Sequence, residues 1–175
     1  MSELDASKSR VRIFTFAEGM FSRLAHDLEI DAPLASATGA LDDSGDGHVE
    51  VTVRAGSLHV VGFVKKGVTD PNGPSASDRT DILERMLEAM NASEGTTIHA
   101  RGDKKGDKIT VELQVPTGVA RAEATTREEP GAGGKVLVTR LRYSMPSLGM
   151  KPVKGPLGAF KLSDRVEVEV RAALR

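Results

Sequence analysis

The chain has no cysteine and no tryptophan, a single tyrosine, and only 3% aromatic residues among its 175. Without thiols, a disulfide framework, a thiolate zinc site, an iron–sulfur cluster and a cysteine nucleophile are all excluded. The net charge is −1, so no surplus of Lys and Arg exists to neutralise phosphates or to coat a membrane surface. Single-stranded nucleic acid also needs stacking side chains, and the expectation is no nucleic-acid partner. No run reaches the roughly 20 apolar residues of a membrane-spanning helix. The stretch Met1 to Arg10 is polar and lacks the apolar core of a secretory signal. A cytoplasmic protein is the expectation, unless an export signal has been removed.

What the chain does have is hydrophobic alternation. Val49 to Arg54, Lys108 to Val115 and Arg165 to Arg171 alternate apolar and polar residues with period two, the pattern of a strand with one face on a core. Val11 to Phe16, Asp27 to Asp31, Leu58 to Val64, Thr96 to Arg101, Val119 to Thr125 and Val136 to Tyr143 are weaker copies. Eight to ten short strands at regular spacing predict a mainly β fold, a barrel or sandwich. The 18 glycines and 8 prolines supply the turns: Asp42 to Gly47, Gly102 to Asp107 and Pro130 to Gly134 read as hairpin turns. Ser147 to Gly158 reads as a long irregular loop. Residues 1–10 are expected to be flexible, and 11–175 to form one domain.

Only one window has helical period. Ile82, Leu83, Met86, Leu87 and Met90 share a stripe, with Ser77 or Asp78 available as N-cap and Gly95 just beyond the end. A further helical turn is predicted near Met20 to Leu24.

Chemistry-bearing patterns are few. Neither a phosphate-cradling Gly-rich loop nor a nucleophile elbow is present. His26 and Asp27 are adjacent on a strand and point to opposite faces, so they do not form an acid–base couple; His26 reads as a buried polar anchor or a ligand headgroup contact. His48, His59 and His99 lack metal-ligand spacing. No metal, cofactor or enzymatic activity is expected.

The order of parts resembles the YceI-like family of lipocalin-like barrels. The resemblance runs from Ile13-Phe14-Thr15-Phe16, through His26-Asp27-Leu28-Glu29-Ile30, Gly39-Ala40-Leu41 and Val49 to Leu58. It continues through Ser77-Asp78-Arg79 at the helix start and Leu148-Gly149-Met150 to Leu162 through Val170. It implies an antiparallel lipocalin-like β-barrel of about eight strands with one mid-chain amphipathic helix, whose lumen holds an isoprenoid or other lipid-like chain. Phe14, Phe16, Phe21, His26, Met86, Met90 and Phe160 are the residues expected to contact such an apolar ligand. An eight-stranded barrel can equally be filled by its own side chains, so a structural or interaction module without a small ligand is the alternative. The sequence leaves the oligomeric state open, a homodimer included.

Overall fold

A computed structural model describes residues 1–18, 26–154 and 161–175. The strands are β1 (Ser2–Glu18), β2 (Asp27–Asp31), β3 (Leu34–Leu41), β4 (Gly47–Arg54), β5 (His59–Lys65) and β6 (Val68–Asp70) before the helix α1 (Ala76–Ala89). After it come β7 (Thr97–Lys105), β8 (Lys108–Val115), β9 (Gly118–Thr125), β10 (Arg127–Gly131), β11 (Gly134–Ser144) and β12 (Lys161–Leu174). They form one 12-stranded sheet in the order β10-β11-β12-β1-β3-β4-β7-β8-β9, with β2 between β1 and β5 and β6 on β5. The ladders are antiparallel, as hairpin-connected neighbours require.

There are more strands than expected because several long arms are interrupted without changing direction. β2 and β3 pair with β1 in one continuous register, from Ser2 opposite Leu41 to Thr15 opposite Leu28. Their break is at Pro33, which has no N–H to give the ladder. A 3-10 turn at Ala55–Ser57 separates β4 from β5. Only Thr126 lies between β9, which pairs with β8, and β10, which pairs with β11. The two ends of the pairing path are therefore consecutive stretches of chain. The sheet also folds over itself, since the Tyr143 hydroxyl on β11 donates to the Val111 carbonyl on β8 at 3.0 Å.

Several local expectations are corrected. Of the first ten residues, expected to be flexible, Ser2 to Arg10 run in the first half of β1, where Ser2 pairs with Leu41 and Leu4 with Leu174. Backbone hydrogen bonding there outweighs the polar composition. Gly102 to Lys105 belong to β7, and the turn is made at Gly106, whose φ is +59°. Ser75, not Ser77 or Asp78, caps α1, its Oγ accepting from the Asp78 amide at 3.2 Å. The helix ends on Asn91 (φ +51°), not Gly95: Ala92 N–H donates to Leu87 and Asn91 N–H to Glu88, a Schellman closure. The turn expected near Met20 to Leu24 lies outside the described residues. The segment from Ser147 begins in a 3-10 turn, Pro146–Leu148, and its residues 155–158 lie outside the described residues.

Arg79 fixes α1 to the sheet. Its guanidinium donates to the carbonyls of Pro74 (2.9 Å), Val60 (2.6 Å) and Pro71 (2.8 Å), with longer contacts to Val61 and Gly73. A lysine ammonium cannot span that fan of acceptors. Arg79→Lys is expected to cost about 1–3 kcal/mol, read as a lowered denaturation midpoint at unchanged slope; an unchanged midpoint contradicts this anchoring role.

Candidate functional site

Period-two alternation sends one set of side chains from every long arm toward a shared interior. From β1 these are Val11, Ile13 and Thr15; from β4, Val49, Val51 and Val53; from β7, Ile98, Ala100 and Gly102. β8 gives Ile109, Val111, Leu113 and Val115, β11 gives Leu137, Thr139, Leu141 and Tyr143, and β12 gives Val166, Val168, Val170, Ala172 and Leu174. Their neighbours in sequence face outward, where Arg121 pairs with Glu112 at 2.7 Å and Lys108 with Glu123 at 3.3 Å. The interior set does not meet in the middle. It surrounds a cavity of about 210 Å³.

One end of the cavity is rich in methionine. Met86 of α1 and Met90 at its C-cap line it together with Met145, Leu148 and Met150. This end is tied together by backbone acceptors: Arg85 Nη1 donates to Lys154 O at 3.2 Å, and Thr117 Oγ1 to Leu148 O at 2.6 Å. Unbranched, polarizable Met side chains fill irregular space and readjust at low cost. Lys104 and His48 line the other end, and the Lys104 ammonium donates to the carbonyls of Gly45 and Gly106.

Polar groups in the wall are few. The Thr139 hydroxyl donates to Thr125 O at 3.3 Å, and Ser9 Oγ to Asp5 O at 2.7 Å. Tyr143 is buried, and desolvation pushes its phenol well above its ordinary value of 10.0. The unfolded chain would ionise near pH 10 while the folded phenol stays neutral. Stability linked to this group is therefore complete below pH 10 and lost as the pH rises above it. Because the chain has one Tyr, phenolate absorbance reports it alone. Absorbance is expected to appear only as the protein unfolds in alkali; a reversible phenolate titration near pH 10 in the folded protein contradicts the burial.

The expected contact residues divide. Met86 and Met90 face the cavity. Phe14 and Phe16 do not: they stand on the alternate face of β1, under the guanidinium groups of Arg140 (4.3 Å) and Arg165 (3.9 Å). Apolar character on both faces of Val11 to Phe16 concealed which parity was interior. His26 packs its ring against Phe63, with centroids 4.4 Å apart, and is not part of the wall. Asp27 turns away from it to accept from the Ala17 amide at 2.9 Å. Phe21 and Phe160 lie outside the described residues. Met145, Met150, Thr15, Thr139 and Tyr143 were missed. The parity of Val136 to Tyr143 carried the signal for two of them, since Thr139 and Tyr143 alternate in step with Leu137 and Leu141.

Among the described residues, no group of three or more His, Asp or Glu is placed to hold a metal ion. Nor is any helix among them long and apolar enough to cross a membrane.

No protein-family model matches the chain. A curated relative is the Holliday junction branch migration complex subunit RuvA of Anaeromyxobacter sp. (strain Fw109-5), 27% identical over 150 residues and covering 75% of each chain. That identity does not place the chain in the RuvA family. Among solved structures, BcnA of Burkholderia cenocepacia superposes with a TM-score of 0.64 over 98% of this chain and 99% of its own, at 11% identity. The likeness is one of fold, and it spans nearly the whole of both chains.

Proposed function

We propose that the chain is a non-enzymatic binding protein that holds an apolar, isoprenoid- or lipid-like ligand inside a lipocalin-like β-barrel. On this reading the barrel closes through the continuous β9–β10 arm, and its eight long arms enclose the cavity. The observation that carries the proposal is the aliphatic lining of a space of about 210 Å³. At about 24 cal/mol per Å³ of unfilled cavity, leaving 210 Å³ vacant costs about 5 kcal/mol. A methylene chain taken up from water returns about 0.8 kcal/mol per buried CH₂. Apolar cavities of this size stay dry and accept apolar guests. Eight strands lie at the size where a barrel interior either fills or holds one small ligand. The fold likeness to BcnA over nearly the full chain supports the architecture on which the proposal stands.

The test is titration with the apolar fluorophore N-phenylnaphthylamine, whose emission is read cleanly because the chain has no Trp. Saturable enhancement at one site per chain, reversed by an unlabelled long-chain lipid, is the expected result. Flat emission would mean that the barrel is closed to guests and works through its surface.

A further inference from the structure

The aliphatic wall contains one group that aliphatic packing does not explain. Thr15 faces the cavity from β1 at 4% exposure, and among the described residues its Oγ1 is the buried side-chain polar atom without a hydrogen-bond partner. A buried hydroxyl left unpaired is destabilising, whereas a valine of the same shape would pack there without that cost. The other hydroxyls among the described wall residues, those of Ser9, Thr126, Thr139 and Tyr143, are each committed to a backbone carbonyl.

Its position is defined by the register. Thr15 pairs with Val166, which pairs with Tyr143, so the three form one cross-strand row. Met145 follows Tyr143 by one step of the inward alternation, which places Thr15 at the methionine end. The β1–β12 ladder shifts register immediately after Thr15. Lys104 is remote from this row. It stands opposite Gly47, Gly47 opposite Leu41, and Leu41 opposite Ser2 at the start of β1.

We propose that Thr15 is the polar contact for the ligand, and that the cavity takes an apolar chain carrying one neutral hydrogen-bonding group, an alcohol or a carbonyl. The head of the ligand then lies at the methionine end and the chain points toward Lys104. This inference rests on the binding function proposed above. A threonine hydroxyl both donates and accepts, so it can serve either class of head. A turn of χ1 between staggered wells exchanges its hydroxyl and methyl positions, which brings the hydroxyl from the wall into the lumen. Among the described residues that line the cavity, Lys104 is the one Lys or Arg, and it is at the other end, held by the Gly45 and Gly106 carbonyls. An ionised head beside Thr15 would be desolvated with no counter-charge from that wall.

The test compares decanol with decane, which differ by one hydroxyl, as competitors that displace N-phenylnaphthylamine from wild type, Thr15→Val and Thr15→Ser. Thr15→Val is expected to lose about fivefold to tenfold in decanol affinity, the worth of one hydrogen bond, with decane affinity unchanged. Thr15→Ser is expected to keep decanol binding, and unliganded Thr15→Val to melt no lower than wild type. If decane displaces the fluorophore but decanol binds wild type and Thr15→Val equally, this inference is wrong and the binding function stands. If neither compound displaces the fluorophore from wild type, both fail.

Discussion

Ala100→Phe is expected to abolish N-phenylnaphthylamine binding, weakening it by more than about tenfold, while leaving the protein as stable as wild type or more so. Ala100 sits in mid-β7, opposite Val51 of β4 and Leu113 of β8, and all three face the cavity. A phenyl ring there projects into the cavity, space that no described side chain fills. It would occupy the volume a ligand needs and remove part of the penalty of the unfilled interior. Filling a cavity commonly adds about 0.5–2 kcal/mol, so the melting temperature should hold or rise as binding disappears. That opposite movement separates a ligand cavity from an imperfectly packed core. Undiminished affinity in a folded Ala100→Phe protein would place the fluorophore elsewhere.

The largest loss of stability is expected from Arg12→Ala. Glu29 is buried at 3% exposure, with Oε1 held 2.8 Å from Arg12 Nη1 and Oε2 accepting from the Thr69 hydroxyl. Arg12 itself is partly exposed, so the pair is a shielded carboxylate with its cation at the solvent boundary. It links β1 and β2, and through Thr69 the short edge strand β6. Removing the cation leaves the carboxylate desolvated and uncompensated, which costs about 3–5 kcal/mol. Adding Glu29→Gln to Arg12→Ala should recover part of this, because a neutral amide is cheaper to bury. Denaturant midpoints of the two single variants and the double variant test the point. A change below about 1 kcal/mol for Arg12→Ala, the range of exposed ion pairs, would show that Glu29 reaches water.

The architecture was legible in the sequence because most of it follows from alternation. Val49 to Arg54, Lys108 to Val115 and Arg165 to Arg171 all lie in strands whose apolar side chains face inward. The stripe from Ile82 to Met90 faces the interior from α1 and its C-cap. The first ten residues were misjudged because composition says little about a strand whose hydrogen-bond partners lie at Ala40–Leu41 and Ala173–Leu174. Such partners are set by ladder register and not by local pattern. Phe14 and Phe16 were expected on the cavity face for a related reason. Aromatic side chains drew attention, yet Phe14 and Phe16 sit on the wrong parity of β1, stacked under arginines. The inward position between them is Thr15, a residue that no single-sequence pattern marks as special. Arg79 gives no signal either, because its acceptors are backbone carbonyls at Val60 and Pro71 to Pro74.

Mass spectrometry of an organic extract, from protein purified without detergent, tests the central claim most directly. The account predicts a long-chain apolar molecule bearing one neutral polar group, recovered near one equivalent per chain and absent from Ala100→Phe protein prepared in the same way. An extract free of such a molecule, from folded and monodisperse protein that also fails to take up N-phenylnaphthylamine, would contradict it.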